Sequence, residues 1–170
     1  MSHVALILVR FAVIIAGYVC AALAASTVLH LAWIGAAGFE PELAPWVLLG
    51  SIAFSIPFVA LFIGYFAFLP ALVAIAITEF ARWQDWLTYA LAGGAIAIVL
   101  MSVFWGRRQG DLSLEFEGMP QVSAERLDDP QVFAALLAAG FVGGIGYWIV
   151  AGRGAGKWRR APRARIPPLP

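Results

Sequence analysis

Few side chains in these 170 residues are equipped for covalent, acid–base or metal chemistry. Cys20, the single cysteine, sits in an apolar run. It has no partner for an intrachain disulfide and none of the cationic neighbours that make a thiolate reactive, so it reads as a small hydrophobe. The two histidines are His3 and His30. If Val4 to Leu29 is continuous helix, they stand about 40 Å apart at opposite membrane faces and cannot ligate one haem. His30 with Glu40 and Glu42 is a loose metal pattern that an idle interfacial histidine explains as well.

The carboxylates Glu115, Glu117, Asp128 and Asp129 have no histidine or cysteine companion. Glu79, Arg82 and Asp85 are spaced three apart, as salt-bridged neighbours on a helix would be. Two glycine clusters resemble phosphate loops and fail as such. Gly140-x-x-Gly143-Gly144-x-Gly146 lacks a following Lys-Ser pair, and Gly152 to Lys157 is followed by Trp158 where a hydroxyl must hold magnesium. The second cluster is expected to be a flexible exit from the membrane. No nucleophile with a base, no acid pair, no metal set and no cofactor site emerges, so no catalytic residue is expected.

These residues are carried by a chain that is 62% hydrophobic and 12% charged, with a mean hydropathy of +0.88. A soluble domain of this length needs about a quarter charged residues to cover its core. The sequence therefore predicts an all-α, polytopic membrane protein of four helices. The spans fall at about 5–29, 47–69, 86–105 and 131–150. The first reads as a retained signal-anchor rather than a cleaved leader, because three further spans follow. The second run, 46–77, would be about 48 Å long as one helix. It is expected to span to residue 69 and continue as an interfacial extension to 84, with bends at Pro57 and Pro70. Asp129-Pro130 is a strong start for the fourth helix.

Orientation comes from the connections. Loop one, 34–45, carries Glu40 and Glu42 and no cation, and loop three, 106–130, is largely acidic. The tail, 153–170, carries Arg153, Lys157, Arg159, Arg160, Arg163 and Arg165 and no acid. Positive-inside reasoning places this basic, Pro-rich tail and the N-terminus in the cytoplasm, with Arg107 and Arg108 as dissenting outer charges. The tail cations would lie against anionic headgroups or dock a partner. Heavy use of Ala, Gly, Arg and Pro with little Lys points to a bacterial inner membrane.

Interfacial anchors are expected at Arg10, Trp83, Trp86, Trp105, Tyr147 and Trp148. Short strand-like alternation appears at 112–117 in the outer loop. The most pronounced pattern is of small residues: Gly17, Ala21 and Ala25 in the first span, Gly93 and Gly94 in the third, and Gly140, Gly143 and Gly144 in the fourth. Such faces let helix backbones approach closely in lipid. No ionisable side chain lies deep in a span, which argues against a self-contained ion-coupled transporter, and a formal charge of +1 argues against nucleic acid. The expected function is an accessory or structural subunit of a membrane complex, packing on lipids and on partner helices through its small-residue faces. The alternative is a small homo-oligomeric transporter or channel, and a cofactor protein using His30 is a third class.

Overall fold

The computed structural model of this protein describes residues 3–37, 45–110 and 130–156. It is an all-α bundle of four helices: α1 His3–Ala37, α2 Pro45–Ala81, α3 Trp86–Gly110 and α4 Pro130–Val150, followed by a 3-10 turn at Gly152–Gly154. All four are long and apolar enough to cross a membrane. The strand-like stretch 112–117, the carboxylates of the first and third loops, and Lys157, Arg159, Arg160, Arg163 and Arg165 lie outside the described residues.

Three boundaries differ from the sequence reading, the first being that α1 runs on to Ala37, eight residues past 29. The long apolar run is one continuous helix of 37 residues that contains both Pro57 and Pro70. Each proline removes a single intrahelical bond, and the flanking turns and neighbouring helices carry the helix through, as is common in lipid. α3 continues five residues past Trp105, because Arg107, Arg108 and Gln109 are ordinary helix formers with nothing to stop the helix before Gly110.

α4 is the centre of the bundle, lying between α1 and α3, while α2 packs mainly on α1 and more sparsely on α3. Successive helices run antiparallel. Along the α1–α2 seam, Tyr18 donates to the Gly64 carbonyl and Ser26, fully buried, donates to the Ile56 carbonyl at 2.8 Å. The interior is built of small residues, including Ala22, Ala25, Ala60, Ala67, Ala71, Ala90 and Ala139, and its largest side chains are Tyr89 and Tyr147. Large apolar residues point outward. That inversion of a soluble core follows from the solvent: lipid tails give Leu and Phe no reason to hide, so close packing of small residues must hold the helices together.

The expected small-residue faces are occupied by the chain itself. A Cβ on Gly140 would stand 2.6 Å from the Gly93 carbonyl oxygen and 2.8 Å from Ala97 Cβ. One on Gly93 would strike the Gly140 carbonyl, and one on Gly144 would strike the Tyr89 carbonyl. On the other side of α4, Gly143 faces Ala21 and Ala25 of α1, and Gly17 of α1 faces Tyr147 and Ala151. Gly94 makes room for the Phe141 ring.

Candidate functional site

The described residues hold one ion pair, and it closes one end of the bundle. Arg10, two turns into α1, pairs with Glu79 in the last turn of α2, both side chains being 12% exposed. Arg10 Nη1 also donates to the Ala151 carbonyl just after α4, at 3.0 Å. Glu79 Oε2 accepts the Gly156 N–H at 3.0 Å. One charge pair thus ties the start of α1, the end of α2 and the chain leaving α4. The Arg10 guanidinium, expected at the headgroups, is engaged within the protein by a carboxylate and a carbonyl.

Glu79 takes Arg10 as its partner in place of the expected Arg82. α2 ends in a Schellman motif: the Trp83 N–H bonds the Thr78 carbonyl at 3.1 Å and Arg82 adopts a left-handed φ of 60°. That turn takes Arg82 off the helical spacing. Asp85 is likewise diverted, its Oδ2 accepting from the Thr88 N–H at 3.3 Å as the N-cap of α3.

Nor is the stretch after α4 a loose exit. Ala151, Gly152, Ala155 and Gly156 are all buried. Each glycine makes room for one neighbour: Gly152 for the Tyr89 and Trp148 rings, Gly154 for the Arg10 guanidinium and Gly156, at φ +68°, for the Arg82 stem. The α2–α3 link is stitched to the same segment, since Gln84 Nε2 donates to the Ala155 carbonyl and Trp148 Nε1 to the Gln84 carbonyl, both at 2.8 Å. The spacing of Gly152, Gly154 and Gly156 was the available signal for this clasp, and only the fold supplies the three side chains that explain it.

Below the clasp lies a cavity of about 110 Å³, lined almost entirely by apolar atoms. It is lined by Ala67, Ala71 and Ala74 of α2, Ala92 and Gly93 of α3, Ala22 of α1 and Ala139 of α4, with Ile63, Ile75 and Ile96 among them. Thr78, Tyr89 and Tyr147 line it at the clasp end. Tyr147 and Tyr89 stack with centroids 5.6 Å apart, and Tyr89 donates to the Trp83 carbonyl at 3.1 Å. Two buried polar atoms here meet no partner: Tyr147 Oη and Arg10 Nε. Tyr147 is therefore an interior residue, 5% exposed, instead of the interfacial anchor expected of it.

The remaining anchors divide. Trp83 and Trp86 are half exposed beside the clasp. Trp148 is tied to Gln84, and the exposed Arg153 guanidinium rests over its ring at 4.4 Å. Trp105 lies on α3, with its side chain outside the described residues. His30 donates from Nδ1 to the Ser26 carbonyl one turn back at 2.8 Å, the ordinary satisfaction of a helix histidine. Among the described residues no three His, Cys, Asp or Glu side chains gather as a metal set. The chemistry available at the clasp is that of binding and holding: a neutralised ion pair, two unused donors and an apolar cavity.

No family model matches the chain, and no curated protein or solved structure is significantly similar to it.

Proposed function

We propose that this chain is an accessory subunit of a membrane protein complex, and that a partner helix docks on the outer face of α2. The observation that carries the reading is Tyr65. It stands near the middle of α2, is 78% exposed, and makes no hydrogen bond to the described residues. Leaving a hydroxyl unsatisfied in hydrocarbon is unfavourable. A neighbouring helix offering a carbonyl or hydroxyl removes that penalty. Phe54, Phe58, Phe62 and Leu69 fall on the same stripe by their three- and four-residue spacing and are at least half exposed. Gly64 beside them opens a shallow groove with Tyr65, Phe66, Phe68 and Leu69.

Helix length supports the same reading. The apolar runs of the first two helices, Val4–Trp33 and Gly50–Ala81, are 30 and 32 residues long. At 1.5 Å per residue the first two reach about 45–48 Å, beyond a hydrocarbon core of about 30 Å. Such an excess favours tilt and helix association. The small-residue faces of α1, α3 and α4 are turned inward, and among the outward apolar faces of the four helices that of α2 carries the exposed tyrosine. The basic tail supports an assignment of both termini to the cytoplasmic side of a bacterial inner membrane.

The test is gentle extraction of the tagged full chain from its native membrane, with native mass spectrometry of what remains bound. The reading expects a stoichiometric complex with a different membrane protein, weakened about threefold by Tyr65→Phe, from a typical intramembrane hydrogen bond of about 0.6 kcal/mol. A pure homo-oligomer would overturn it and favour a self-assembled pore.

A further inference from the structure

The clasp end of the bundle presents donors without acceptors on its outer surface. Arg82 and Arg153 are both exposed, and neither guanidinium makes a hydrogen bond or ion pair with the described residues. The indole N–H groups of Trp83 and Trp86, on rings that are half exposed, make none either. The acids of this end are already engaged. Glu79 holds Arg10 and the Gly156 N–H, and Asp85 caps α3 through Oδ2. With the ion pair cancelled, Arg82 and Arg153 against Asp85 leave the surface net positive.

Both cations are positioned by the fold instead of by an acid. Arg153 lies over the Trp148 ring at 4.4 Å, and Trp148 Nε1 is fixed in turn by the Gln84 carbonyl at 2.8 Å. The Arg82 stem packs on Gly156, three residues beyond Arg153. The two guanidinium groups therefore share the surface where the α2–α3 link meets the segment after α4. Arg82 also holds the left-handed φ of 60° that closes the Schellman turn, a place glycine fills without strain. Strain of this kind concentrates at functional sites.

Forked guanidinium donors free of carboxylates match the oxygens of a phosphodiester. Position says which one. α2 and α4 end here and α3 begins, so the surface stands at the headgroup level of the leaflet that faces the tail. The half-exposed rings of Trp83 and Trp86 beside the cations suit the same level, where indoles partition between headgroups and hydrocarbon. A soluble anion would leave those rings bare. We infer that this surface binds the headgroup of one anionic phospholipid, with Arg82 and Arg153 on its phosphodiester and Trp83 and Trp86 beside its glycerol backbone. A zwitterionic headgroup brings its own cation to a surface that is already positive, so the anionic lipid is preferred. The site shares no residue with the outer face of α2, and the two proposals stand or fall independently.

The experiment uses the full chain in nanodiscs of mixed dioleoylphosphatidylcholine and dioleoylphosphatidylglycerol, and native mass spectrometry with stepwise activation, which strips annular lipid first. One phosphatidylglycerol is expected to persist on the wild-type chain. Arg82→Gln and Arg153→Gln are each expected to lower its retention about fivefold. Arg82→Gly is expected to lower it as much while relieving the strained turn, so that loss of the fold cannot account for the effect. Arg153→Lys keeps the charge and loses the fork, and is expected to lose most of the retention. Arg163→Gln with Arg165→Gln removes two tail charges and is expected to leave retention nearly unchanged. A wild-type chain without preference for phosphatidylglycerol overturns the site. So does equal retention by Arg153→Lys, or a loss in the tail variant as large as in the others, either of which reduces the effect to diffuse attraction. Displacement of the retained lipid by inorganic phosphate also overturns it, assigning the two arginines to a soluble anion.

Discussion

Replacing Gly144 by alanine should destabilise this bundle, while the same change at Gly50 should stabilise it. At Gly144 the added methyl meets the Tyr89 carbonyl carbon at 2.8 Å and Ala90 Cα at 3.1 Å, both backbone atoms. Ordinary contact begins near 3.4 Å, so α3 and α4 must separate by about 0.6 Å or more to admit it. A gap of about 0.5–1 Å forfeits a quarter to a half of the dispersion energy of every contact along the seam. Overpacking of this kind destabilises by about 1–3 kcal/mol, and alanine's better helix propensity returns about 1 kcal/mol. The net expectation is a loss of up to about 2 kcal/mol. At Gly50 a Cβ meets nothing within 4 Å. There only the propensity term survives, a gain of about 0.5–1 kcal/mol. Reversible unfolding in mixed micelles of rising SDS fraction, followed by circular dichroism, reads both. Equal shifts of the same sign would refute the claim that backbone contact between α3 and α4 holds the bundle.

Arg10→Met should lose about 3 kcal/mol or more, because it leaves Glu79 buried and unpaired, and Arg10→Met with Glu79→Met should be milder than that single change. The same unfolding assay gives the cycle, and a double variant as damaged as the sum of its singles would contradict the pairing. Arg82→Gly should raise stability by about 1 kcal/mol, since the left-handed φ of 60° is free of strain only for glycine. Ser26→Ala should lose about 0.6 kcal/mol with the bond to the Ile56 carbonyl, and Ser26→Leu should lose far more, there being no space at a fully buried site.

The four helices were legible because a bilayer imposes long apolar runs, and such runs need no knowledge of the partner helix. The end of α2 was harder. Pro70 in a soluble protein would argue for a break, yet here the helix runs through it to Ala81, because lipid gives the backbone no other way to satisfy its hydrogen bonds. The clasp was illegible for a different reason. Arg10 and Glu79 lie 69 positions apart, and Arg10 and Ala151 lie 141 apart. Local spacing offered Arg82 as the partner of Glu79, and only the Schellman turn removes it. The glycines of α4 were plain in the sequence, but whether they meet α1 and α3 or a foreign helix depends on how the bundle closes. Tyr65 gave no signal at all until α2 was seen to turn it outward.

The most direct test of partner docking on α2 places a photo-crosslinking amino acid at position 65 of the full chain in its native membrane. Position 99 on α3, where Val99 is half exposed, serves as the control. The account predicts one discrete adduct with a different membrane protein from position 65 and only lipid adducts from position 99. Lipid adducts alone at position 65, or adducts between copies of this chain, would contradict it.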